Sequence, residues 1–149
     1  RYPEAGRRAR SRCVGGVRRT TLETSAAGER VNAMTAHTDR EPGVSVLEAQ
    51  ELLAGDAQMI DVRDQHEWVA GHSPHSVHVP MSELSTATTV LSPMHPLVVV
   101  SRSGRRAAEA VRHLRAAGLD ARRLDGGLHA WRDAGGDLAS DTGRPPRIL

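Results

Sequence analysis

From Val44 onward, short apolar runs alternate with stretches in which apolar residues recur every three or four positions. Such alternation predicts strands feeding helices, the βαβ unit of a parallel sheet. Ser45 and Glu48 have the spacing of a capping box and head a helix carrying Val46, Ala49, Leu52 and Leu53, which Gly55 closes. Residues 59–62 read as a buried strand. Asp64 and Glu67 repeat the capping spacing before a short helix that contains Trp68 and stops at Gly71. Residues 77–79 are a candidate strand halted by Pro80. Residues 97–100 are the most apolar run, short and β-branched, as a central strand covered on both faces requires. The polar loop 101–106 follows, then a helix with Ala107, Ala110, Val111, Leu114 and Ala117 on one stripe and Gly118 at its end. Residues 121–124 supply a further strand, Gly126-Gly127 a turn, and residues 128–134 a last helix bearing Trp131.

The ends of the chain lack this pattern. Residues 1–40 are rich in Arg, Ala, Gly, Ser and Thr without periodicity and read as a disordered leader. Met34, just before the first patterned residues, is the expected start of natural translation. Residues 139–149, with their Pro and Arg content, read as a loose tail, which leaves residues 41–138 as the folded domain.

A chain of 149 residues fits one core that needs neither disulfides nor a metal. With no Phe, two Trp and one Tyr, that core must be built from Val, Leu, Ala and Met. All basic residues are Arg, as in a GC-rich coding sequence. Their charge is uneven: residues 1–38 hold eight Arg against three Glu, the remainder twelve Arg against fifteen acids. The basic pI therefore describes the leader and not the domain. The leader has neither the interleaved aromatics of a nucleic-acid arm nor the apolar face of a transit peptide, and nucleic acid is not an expected partner. The single cysteine, Cys13, excludes an internal disulfide framework and fits a cytoplasmic location. No run approaches the ~18 apolar residues of a membrane helix, so no membrane partner is expected.

The loop Ser101-Arg102-Ser103-Gly104-Arg105-Arg106 stands where open α/β sheets place their ligands, between the carboxyl end of a strand and the start of a helix. A helix start offers unpaired N–H groups and a dipole worth about 0.3–1 kcal/mol to an anion. Gly104 lets the backbone turn inward, and Arg102, Arg105 and Arg106 are candidate charge-assisted donors. The expected guest is a small oxyanion, such as sulfate, thiosulfate or phosphate. A solvated arginine cluster is the plainer alternative.

The residues Ile60-Asp61-Val62-Arg63, Glu67-Trp68, Gly71-His72-Ser73-Pro74, Val79-Pro80, the loop 101–106, Gly126-Gly127 and Ala130-Trp131 occur in an order and spacing that resemble the rhodanese-like family over most of residues 44–138. The resemblance implies a single α/β domain, a central parallel β-sheet flanked by helices on both faces. It also implies sulfurtransferase chemistry, moving sulfane sulfur from donors such as thiosulfate to thiol or cyanide acceptors. The family's working loop reads Cys-Arg-x-Gly-x-Arg. Here Arg102, Gly104 and Arg106 match, the small polar residue that often follows is Ala107, and Ser101 occupies the cysteine position.

That exchange removes the nucleophile. A cysteine pKa near 8.5 falls to about 3.5–7.5 at a helix N-terminus, so thiolate is abundant at neutral pH. A hydroxyl ionises only far above neutral pH and has no such reserve, and oxygen cannot store sulfur as a persulfide. The expectation is therefore a non-catalytic rhodanese-like module that binds an oxyanion or sulfur donor, or a protein partner. The alternative is an active thiosulfate or persulfide sulfurtransferase. A weaker alternative is a serine hydrolase in which Asp125 and His129 assist Ser101, although the Gly-x-Ser-x-Gly elbow is missing. A nucleotide P-loop is excluded because the chain has no Lys. Asp61 and Arg63, at the end of the second strand, are expected to support the ligand loop, and the family's Gly-His pair assigns His72 a similar holding role. His72, His75 and His78 recur every third residue, but Pro74 and Pro80 keep them off one helix and they read as loop residues. No metal or cofactor is expected. Trp68 and Trp131 read as core packing.

Overall fold

The computed structural model describes residues 41–149. The expectations for the leader, Met34 and Cys13 lie outside the described residues. Five parallel strands form one sheet: β1 (Gly43–Val44), β2 (Gln58–Asp61), β3 (Ser76–His78), β4 (Leu97–Val100) and β5 (Ala121–Leu124), in the order β1-β5-β4-β2-β3. Between them run α1 (Val46–Ala54), α2 (Gln65–Ala70), α3 (Leu84–Ala87), α4 (Arg105–Ala116) and α5 (Gly127–Asp133).

Strand β4 organises both layers because all four of its residues are fully buried. Leu97 and Val99 join Ile60, Val111 and Leu114 on one face, while Val98 and Val100 join Met59, Leu124 and Trp131 on the other. This is the two-residue period of a strand, and the register Met59↔Val98 and Ile60↔Val99 keeps the two layers aligned across β2. Helix α4 buries Ala107, Ala110, Val111 and Leu114. Ala117, expected on the same stripe, is exposed because the helix ends at Ala116.

The two capping signatures form. In α1 the Ser45 hydroxyl accepts from the Glu48 amide at 3.2 Å, and the Glu48 carboxylate accepts from the Ser45 amide at 2.7 Å. In α2 the Glu67 carboxylate accepts from the Asp64 amide at 3.0 Å. Helix α3 and the single 3₁₀ turn before it, Met81–Glu83, have too few apolar repeats to be read from the pattern, and two-residue β1 is too short to alternate. Val77 is 54% exposed on β3, a strand at the sheet edge, while Val79 just beyond it is buried. Trp131 is in the core as expected. Trp68 is only half-buried and instead stacks on His72 and His78, at 3.8 and 4.8 Å between ring centres.

The tail corrects the reading of a loose terminus. Its backbone supplies N–H donors to carbonyls that the end of α2 leaves unmatched: Asp141 to Val69 at 3.1 Å and Arg147 to Ala70 at 2.8 Å. Ala139 pairs with His72 in an antiparallel bridge, and Ile148 packs against the core. These partners are backbone groups, which composition does not encode.

The corner between β5 and α5 is set by Gly127, at φ +59°. A Cβ there would collide with the carbonyls of Ser101 and Arg102. Gly127→Ala is expected to destabilise the fold by about 1–3 kcal/mol, since it adds both a left-handed strain and a clash. Urea unfolding measures this, and an unchanged midpoint would contradict the close approach.

Candidate functional site: the loop after the central strand

The loop 101–106 leaves the carboxyl end of β4 and enters α4 through Gly104, whose φ of +99° is left-handed. Its carbonyls are engaged on the side of the β5–α5 corner: Ser101 accepts from the Leu128 amide at 2.9 Å and Arg102 from the His129 amide at 3.3 Å. With those carbonyls tied, the amides at the start of α4 turn about the Ser101 side chain. Its hydroxyl oxygen accepts from the Gly104 amide at 3.1 Å and the Ala107 amide at 3.3 Å. Ser101 is only 2% exposed and forms the floor of an open cleft of about 620 Å³, lined also by Glu67, Arg102, Ser103, Arg105, Arg106 and His129.

The arginines have different tasks. Arg106, expected to face the anion, is instead held by both terminal nitrogens, donating to the two oxygens of Glu67 at 2.6 Å each and reaching Asp64 at 3.3 Å. Such a bidentate pair is geometrically specific, and it reassigns Arg106 from anion donor to anchor of the cleft wall. Burial by itself would raise the Glu67 pKa. The hydrogen bonds from Arg106 and the Asp64 amide, with the charges of Arg106 and Arg63, outweigh burial and pull it below the usual carboxylate range. The Glu67 hydrogen bonds raise the Arg106 pKa in turn. Arg102 and Arg105 have no carboxylate partner among the described residues. Arg102 donates from Nε to His129 Nε2 at 3.2 Å. Arg106 is shared by Glu67 and Asp64, so Arg102 and Arg105 are the guanidiniums that line the cleft without a carboxylate partner among the described residues.

Asp61, Arg63 and His72 do not line the cleft. They lie behind it. Asp61 and Arg63 form a fully buried ion pair at 2.7 Å, and Arg63 also donates to the Gly71 carbonyl at 2.6 Å. The pair is therefore internal, and it bridges the two ends of the segment that presents Glu67. His72 Nδ1 lies 2.8 Å from the Trp68 carbonyl, and His78 Nε2 2.7 Å from that of Arg63. His75 meets Trp131 edge-on at 6.4 Å between ring centres. His72 and His78 thus share the Trp68 ring, while His75 lies apart against Trp131.

Sequence reasoning missed two cleft residues. Glu67 was legible as a helix cap, and its second task as the partner of Arg106 depends on residues 39 positions apart. His129 was considered only as a hydrolase base.

Three comparisons bear on this geometry. The family description "Rhodanese-like domain" matches residues 45–134. The chain belongs to the rhodanese-like family. A rhodanese-related protein from Thermoplasma volcanium has the same architecture, with a TM-score of 0.61, 26% identity, and coverage of 66% of this chain and 97% of that one. The putative sulfurtransferase YtwF of Bacillus subtilis is 28% identical over 90 residues, which cover 59% of this chain and 87% of that protein. The HTH-type transcriptional regulator Rv0324 of Mycobacterium tuberculosis is 37% identical over 94 residues, or 62% of this chain and 41% of the regulator. The matched part of the chain thus spans about two-fifths of that regulator's length. Among the described residues, no helix is long and apolar enough to cross a membrane.

The depressed Glu67 pKa has a definite sign in the stability of this rhodanese-like domain. Its contribution is complete above the ordinary glutamate value of about 4.3 and is lost as pH falls through the lower folded value. The acid limb of the stability profile is expected to flatten in Glu67→Gln, measured as urea midpoints between about pH 5 and pH 2. An unchanged acid limb would contradict the pairing.

Proposed function

We propose that this rhodanese-like domain binds a small tetrahedral oxyanion in the cleft over Ser101 and does not carry sulfur through a persulfide. The observation that supports this most strongly is the hydrogen bonding of the Ser101 hydroxyl. Its oxygen accepts from two amides, which uses the acceptor capacity of a hydroxyl and leaves its proton to donate into the cleft. A thiolate in that place would oppose a bound anion by like charge. A neutral hydroxyl leaves the positive field of Arg102 and Arg105 uncompensated and adds a donor. Sulfate, thiosulfate and phosphate share the matching chemistry.

A catalytic sulfurtransferase is the second reading, favoured by the likeness to the putative Bacillus sulfurtransferase, of which this chain matches most of the length. It needs an atom at position 101 that attacks sulfane sulfur and then releases it, and an alcohol, which stays protonated far above neutral pH, does neither. The likeness to part of a transcriptional regulator fits a module that senses its ligand. A serine hydrolase has little support: Asp125 is bound to Arg123 at 2.7 Å, His129 accepts from Arg102, and the Ser101 oxygen meets amides and no general base.

In a thiosulfate-to-cyanide assay of the purified protein, the parent is expected to be silent and Ser101→Cys active; equal turnover in both would reverse the preference. Sulfate or thiosulfate is expected to raise the melting temperature of the parent, because a ligand of the native state adds RT ln(1 + [L]/Kd). No rise at tens of millimolar would leave only a solvated arginine cluster.

A further inference from the structure

The contact between Arg102 and His129 is unusual for a cleft that attracts anions, because a cation there rests on a neutral base. For Arg102 Nε to donate to His129 Nε2, that nitrogen must present a lone pair, so the imidazole is uncharged and carries its proton on Nδ1. The backbone that carries the ring is held at the cleft, since the amide of the same residue donates to the Arg102 carbonyl and α5 starts two residues earlier at Gly127.

The charged groups around it are already matched. Across the cleft, Glu67 of α2 and Asp64 just before it are both bound to Arg106 of α4. At the corner preceding α5, Asp125 is bound to Arg123, and further along α5, Arg132 is bound to Asp133. Arg102 and Arg105 face the cleft without a carboxylate among the described residues. A protonated His129 would therefore find its acceptor in an incoming anion.

We propose, on the basis of the anion-binding reading above, that His129 is a direct ligand of the bound anion and takes up a proton as the anion enters, so that the site selects tetrahedral dianions. As the dianion arrives, Arg102 keeps its Nε–H and turns that hydrogen bond from the imidazole to an anion oxygen. The freed Nε2 lone pair accepts a proton from solvent, and the new Nε2–H donates to a second oxygen. One proton enters with each dianion, and no bond within the anion changes. The Ser101 hydroxyl remains a neutral donor on the floor. A monoanion exerts a weaker pull on both the guanidinium and the incoming proton.

Titration calorimetry of the full chain with sodium sulfate tests this, since sulfate stays dianionic throughout the range and any pH dependence belongs to the protein. In the parent, the binding heat is expected to differ between two buffers of unequal ionisation enthalpy, and the affinity to rise severalfold from about pH 8 to about pH 6. His129→Gln keeps a polar partner for Arg102 but does not titrate. It is expected to bind sulfate roughly tenfold more weakly at the lower pH, with no buffer dependence. Perchlorate, a tetrahedral monoanion, is expected to bind weakly and without proton uptake in either protein. A variant with the parent's affinity and buffer dependence would overturn the role of His129 while leaving the cleft an anion site. No sulfate binding by the parent at either pH would overturn the anion site itself and this role with it.

Discussion

The geometry of the site depends on one close approach, that of the Gly127 backbone to the carbonyls of Ser101 and Arg102. Only a residue without a Cβ permits it, and it brings the Leu128 and His129 amides onto those two carbonyls. The loop is then held from the rear, at the head of a strand whose four residues are fully buried. Its forward side, where α4 begins, is left to gather amides around position 101. Packing in the core thus becomes polarity in the cleft through two backbone hydrogen bonds and one glycine.

On that frame, the element at position 101 decides the chemistry. Sulfur in this place would ionise in the field of the helix start and the guanidiniums, becoming both nucleophile and negative charge. Oxygen does neither. It accepts the amides as a neutral atom, and Arg102 and Arg105 face the cleft without a carboxylate partner among the described residues. The cleft wall is independent of that choice: Glu67 and Arg106 satisfy each other, and the buried Asp61–Arg63 pair secures the segment behind them.

The sheet was legible because its signals are local. Strand β4 coincides with its apolar run, and strand β5 and both capping residues were found from periodicity and spacing. Segments without period, β1 and the turns around α3, were not visible. The tail was misjudged because its ties are backbone donors meeting the last carbonyls of α2, and these do not depend on side-chain type. Within the site, the loop and its glycine were evident, whereas the allocation of the arginines was not. Sequence showed three cations in one loop; which of them is neutralised depends on Glu67, brought in from a distant helix. His129 was missed as a cleft residue because a single histidine on a helix has no signature until its neighbour is known.

The central claim is that residue 101 holds hydrogen bonds and not sulfur. Peptide-resolved mass spectrometry of the native chain after exposure to thiosulfate tests it most directly. The peptide containing Ser101 is predicted to keep its unmodified mass. A sulfur adduct assigned to Ser101 would contradict the account.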